Sequence, residues 1–145
     1  MTENTINAFI PKASILRDFL VEIETRLSVV PNLKYEDTYR QLNKDDNIPI
    51  CFLDVNSNKP VDSDVFPQYQ KKCKSSFSFS LIVYSDSLVN LLDLIEIIEL
   101  AMKLSENIKG SLKTEYSGFE IASKEMGIKQ HVALLGFITE YIKEF

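Results

Sequence analysis

The segment Leu88–Glu106 constrains this fold more than any other: nineteen residues with no glycine or proline, dominated by leucine and isoleucine. At the helical step its polar residues, Asp93, Glu96, Glu99, Lys103 and Glu106, fall on one stripe roughly 140° wide. Even inside that stripe sit Val89, Leu92 and Leu100. A helix so apolar around its girth cannot be covered by a single sheet. It must touch a sheet, another helix and a further surface, so it is either the central helix of one domain or a subunit contact. Ser85-Asp86-Ser87 precedes it with N-cap chemistry.

The helix follows directly on Ser76-Phe-Ser-Phe-Ser-Leu-Ile-Val-Tyr84. Phe77, Phe79, Leu81 and Val83 alternate with Ser76, Ser78 and Ser80, the period of a strand with one buried face. Upstream, Leu16, Phe19, Leu20, Ile23, Leu27 and Val30 recur at helical spacing on a narrow face. Ser14 is the expected N-cap and Pro31-Asn32 the stop. Residues 1–13, ending near Pro11, read as a loose N-terminal arm.

Residues 33–42 and 48–55 read as strands around a turn at Asn43–Asn47, expected to pair as an antiparallel hairpin. Residues 56–74, polar and carrying Pro60 and Pro67, read as a long polar loop. Lys113–Ser117 and Phe119–Lys124 read as short strands, with a turn near Glu125-Met126-Gly127. Gln130–Glu140, apolar on both faces, reads as an interior strand, with Gly136 marking a bulge or a close backbone approach. The expected fold is α+β, in the order α-β-β-β-α-β-β: a mostly antiparallel sheet with two helices packed on one face. No polar linker separates two cores, so residues 1–145 form a single expected domain.

With 21 acidic against 16 basic residues, the net charge of −5 disfavours binding to a nucleic-acid backbone or to anionic lipid. No apolar run is long enough to span a bilayer, and the first residues lack the basic and apolar regions of a secretory signal. The expectation is a soluble protein of a reducing compartment. The four glycines are scattered, so no phosphate loop exists, and no Gly-x-Ser-x-Gly elbow is present. Cys51 and Cys73 lack metal-site spacing, and His131 is the single histidine, lying in an apolar strand. Asp54, Asn56 and Asn58 open like a calcium loop, but Lys59 stands where glycine is needed and Val65 where a bidentate glutamate is needed. No catalytic residue, metal or cofactor is expected, and the chain does not read as an enzyme. The candidate contact residues are Val89, Leu92, Asp93, Glu96 and Leu100 on the long helix. Lys71, Lys72 and Lys74, the one basic cluster, could pair with such an acidic stripe on a neighbouring copy.

The order of elements resembles the tail terminator (tail completion) proteins of long-tailed phages and phage-tail-like particles. The likeness is carried by the amphipathic helix Ser14–Leu27 ending in Val-Val-Pro31 and the strand opening Ile48-Pro-Ile50. It continues in Phe77–Tyr84 passing straight into Leu88–Lys103, and in the closing Val132-Ala-Leu-Leu-Gly-Phe137 with Tyr141. The resemblance implies a structural protein of the virion tail, assembled in the host cytoplasm. Six copies would form a ring on the head-proximal end of the tail tube. The ring's partners would be its own copies, the major tail tube protein and a head-completion or neck protein. The competing reading is a small acidic binding module, of the immunity or antitoxin type, that neutralises a basic enzyme.

Overall fold

The computed structural model describes residues 2–43, 46, 48–65, 72–102, 107–122 and 131–144. Its elements run α1 (Thr2–Leu27), β1 (Lys34–Glu36), β2 (Ile50–Val65), β3 (Lys72–Ser85), α2 (Leu88–Met102), β4 (Lys113–Ile121) and β5 (His131–Glu144). The fold is α+β, with two helices and a five-stranded mixed sheet in the order β1-β2-β3-β5-β4. Every pairing but β1–β2 is antiparallel.

β3 behaves as its alternation predicts. Phe77, Phe79, Leu81 and Val83 are buried, while Ser76, Ser78 and Ser80 are half-buried on the reverse face. Being central, β3 pairs over its whole length with β5, from Lys72↔Glu144 to Ser85↔His131. The main apolar cluster joins Phe79, Leu81 and Val83 with Cys51 and Leu53 of β2 and with Leu135 and Phe137 of β5. The same cluster takes in Phe19, Ile23 and Leu27 of α1 and Leu91, Ile95 and Ile98 of α2. Aromatic rings fill its centre: Phe79 stacks on Phe137 at 5.0 Å, and Phe19 meets Tyr141 edge-on at 5.5 Å. A smaller cluster of opposite strand parity holds Ile50, Phe52 and Ile82, with Tyr84, Val132 and Leu134 against it.

Four sequence expectations change. First, α1 starts at Thr2, so residues 1–13 are helical from Thr2 onward and not a loose arm, and Ser14 lies mid-helix. Pro11 removes a single i→i−4 bond, and no glycine stands beside it to end the helix. Second, β1 runs parallel to β2, Lys34↔Ile50 to Glu36↔Phe52, so the two do not form a hairpin. Residues 37–49 provide the crossover that parallel neighbours need. Third, 56–74 is not a long loop: β2 continues to Val65 and β3 begins at Lys72, extending the β2–β3 hairpin as an arm. Asp54 and Asn56 are therefore exposed strand residues. β1 covers β2 only as far as Phe52, so Pro60 lies on an open edge where its missing N–H breaks no second ladder.

Fourth, the two short strands expected at Lys113–Ser117 and from Phe119 are joined in one, β4, which ends at Ile121 and is broken in register at Ser117; residues 123–124 of the second lie outside the described residues. Gly118, at φ 99°, restarts the ladder in a conformation that costs a side-chain-bearing residue strain. Ser117 leans over the neighbouring strand: a Cβ at Gly136 would stand 2.6 Å from its Oγ, a close approach by a side chain and not by backbone as expected there. The turn expected at Glu125–Gly127 lies outside the described residues, as do Lys103–Glu106 at the end of the long helix.

Candidate interaction surface

α2 is set by its ends. Ser87 caps it: the Asn90 backbone N–H donates to the Ser87 hydroxyl at 3.1 Å, and the Leu91 N–H to the Ser87 carbonyl at 2.9 Å. The Asn90 side-chain amide donates to Asp86 at 3.0 Å, which holds that carboxyl below its usual range. At the other end Arg26 of α1 reaches across. It donates to the Met102 carbonyl, one of the acceptors a helix C-terminus leaves without a partner, and to the Asn107 carbonyl at 3.1 Å, while ion-pairing with Glu22.

Held this way, α2 buries Leu91, Leu94, Ile95, Ile98, Ala101 and Met102 and turns its remaining apolar residues outward. Leu100 is 77% exposed, Val89 69%, Leu88 44% and Leu92 40%. Asp93 and Glu96 lie exposed among them, and neither enters an ion pair among the described residues. Glu99 leaves the stripe: it accepts the Tyr116 hydroxyl at 2.6 Å. Burial first, and that carboxylate second, push the Tyr116 hydroxyl well above its ordinary pKa. Val89, Leu92, Asp93, Glu96 and Leu100, the candidate contact residues on this helix, all lie exposed on α2. A groove of about 360 Å³ between Pro31, Ile48, Pro49, Asp86, Asp93 and Ile97 continues from the start of this face.

The lysines are not gathered with that stripe. Lys74 ion-pairs with Glu140 of β5 at 3.0 Å. Lys72 opens β3 in register with Glu144, and Lys71 lies outside the described residues. β3 leads into α2 from its other end, thirteen residue steps from Lys72, on the order of 40 Å away.

The sheet edges are poor docking sites for a further strand. The open edge of β2 carries Lys59 and Pro60 and two breaks in register, and that of β4 carries exposed Lys113, Glu115 and Glu120 and the kink at Ser117. Charges, proline and bulges are how sheets discourage edge pairing.

The other chemical candidates stay apart. Cys51 is buried and its thiol is pushed up to about 12 by burial, as suits a small core residue. Its β3 partner is Val83, while that of His131 is Ser85, so the two side chains stand two strands apart, about 10 Å. Among the described residues, His131 Nδ1 and the Tyr35 hydroxyl are buried without a hydrogen-bond partner. Among the described residues no three His, Cys, Asp or Glu side chains cluster as metal ligands, and no helix is long and apolar enough to cross a membrane.

Two features escaped the sequence reading. One is a strap over the smaller apolar cluster. Arg40 ion-pairs with Glu36 at 2.6 Å and Asp46 at 2.8 Å while lying 5.3 Å over the Phe52 ring. The other is the turn Asn107–Lys113, which sets the exposed Leu112 between Lys109 and Lys113. The spacing Lys-Gly-Ser-Leu-Lys was the available signal for the second; nothing local signals the first. No protein-family model and no curated protein matches this chain.

Proposed function

We propose that this protein is a structural component of a phage tail or phage-tail-like particle: a tail terminator whose copies ring the head-proximal end of the tail tube. The ring ends tube growth and offers a docking surface to a head-completion or neck protein. One observation carries the reading. In a domain with a complete aromatic core, α2 leaves Leu88, Val89, Leu92 and Leu100 in water along a single face. Exposed apolar residues in a contiguous stripe mark an interaction surface. In this reading both helices pack on one face of the sheet, the arrangement that the shared apolar cluster of α1, α2, β3 and β5 supports. Val89, Leu92, Asp93, Glu96 and Leu100 then serve copy-to-copy contact. The role is architectural and needs no catalytic group or cofactor. The site of action is the virion tail, reached after assembly in the host cytoplasm.

Electron microscopy of the purified protein mixed with tail tubes tests this. Density at one end of each tube is expected. Decoration along the tube wall, or none, overturns the proposal.

The unpaired Asp93 and Glu96 favour a second reading, an acidic module that occludes a basic enzyme. A toxin gene beside this one, in place of tail tube and tape-measure genes, would decide for it.

A further inference from the structure

The turn that follows α2 is the electrostatic opposite of the α2 stripe. Its backbone is fixed by five bonds: Lys109 N–H to Glu22 at 2.7 Å, Leu112 N–H to the Glu140 carbonyl at 2.7 Å, Ser111 N–H to the Ile108 carbonyl at 2.9 Å, Ile108 N–H to Thr114 at 3.0 Å, and Thr114 N–H to Asn107 at 2.9 Å. A surface held this firmly loses little freedom when it binds. On it Leu112 is 53% exposed, flanked by exposed Lys109 and by Lys113, whose side chain is 58% exposed. Lys109 enters no ion pair among the described residues, and Lys113 pairs with Glu115, itself in solvent, and stands in register with Glu140, which Lys74 already engages. An exposed pair of that kind is exchanged at little cost.

The other possible partners for the stripe fit less well. Two α2 stripes face to face would set Asp93 and Glu96 against their own copies, like charge on like. Of the arm lysines, Lys74 is already bonded to Glu140.

We propose that the α2 stripe of one copy docks on the 107–113 turn of the next. Leu112 sits among Val89, Leu92 and Leu100, with Lys109 and Lys113 opposite Asp93 and Glu96. The two patches differ, so the contact is head-to-tail, and repetition either closes a ring or propagates a filament. This rests on the ring reading only in requiring that the protein self-associate, and it assigns the two faces that meet.

Two charge-reversed variants test it by sedimentation at low salt. All four substituted side chains are exposed, so both variants should stay folded, with a modestly lower melting temperature for Lys109→Glu/Lys113→Glu because a carboxylate at position 113 faces Glu115 and Glu140. Asp93→Lys/Glu96→Lys makes both patches basic, and Lys109→Glu/Lys113→Glu makes both acidic. Each alone should self-associate at least about tenfold more weakly than wild type. An equal mixture should recover wild-type association, because the copies then alternate with opposite charges at every junction. Wild-type protein that stays monomeric up to its solubility limit overturns the proposal, as does a mixture no better than its components. If the mixture recovers but tube ends stay bare, the tail-terminator reading falls and this contact stands. If tube ends are decorated without recovery, the reverse holds.

Discussion

Several single residues carry tasks that can be measured. Gly118 and Gly136 lie side by side across β4 and β5 but for different reasons. Gly118 needs its positive φ, so Gly118→Ala is expected to cost about 1–2 kcal/mol in urea denaturation. Gly136→Ala meets the Ser117 hydroxyl, the movable end of a side chain, and should cost less. Cys51 should ignore a thiol reagent in the native protein: in a Cys73→Ser background, labelling is expected only on unfolding.

Arg40 gives the strap a pH dependence. It holds the carboxyls of Glu36 and Asp46 below their ordinary values, chiefly by side-chain hydrogen bonds. A carboxyl whose pKa is lower folded than unfolded adds stability above the unfolded value, near pH 4, and loses it as pH falls through the folded value. Melting temperature should therefore drop between about pH 5 and pH 2 more steeply in wild type than in Arg40→Gln. Equal slopes would mean that the strap ion pairs add nothing to the folded state.

At the scale of elements, α2 has two faces with opposite tolerances. Ile95→Ala or Ile98→Ala, at buried positions, should cost about 2–4 kcal/mol. Val89→Asp or Leu100→Asp should leave monomer stability within about 0.5 kcal/mol while weakening self-association. Arg26→Met should cost about 1.5–3 kcal/mol in chemical denaturation, because it strips partners from the Met102 and Asn107 carbonyls at the end of α2. The β2–β3 arm shows how an element can be missed. Its residues beyond Val55 are polar because the strand there lies beyond the apolar cluster, whose β2 members end at Leu53. Polar alternation with a proline reads as a loop until a partner strand is known.

At the scale of the whole molecule, α2 is covered on one side and carries exposed Val89, Leu92 and Leu100 on the other. The exposed stripe, the blunted sheet edges and the charged turn together favour association through side chains of the helix layer over addition of strands. Salt should accordingly weaken assembly: ion pairs across an exposed contact are screened within about a Debye length, roughly 8 Å at physiological ionic strength. Self-association insensitive to salt would point to a purely apolar contact, without Asp93, Glu96, Lys109 or Lys113.

The sequence by itself determined what depends on near neighbours along the chain. The alternation of Phe77–Val83 set which face of β3 is buried, the spacing of Phe19, Ile23 and Leu27 set the inner face of α1, and the surplus of leucine and isoleucine in α2 called for more cover than one sheet gives, leaving a central helix and an outward contact both open. These follow from the fixed periods of strand and helix. Only the tertiary structure decided the parallel pairing of β1, the continuation of β2 to Val65, the union of β4 across Ser117 and the Arg40 strap. Each depends on hydrogen bonds or ion pairs between groups that no local period relates, with the crossover, hairpin or bulge that brings them together set by the rest of the fold.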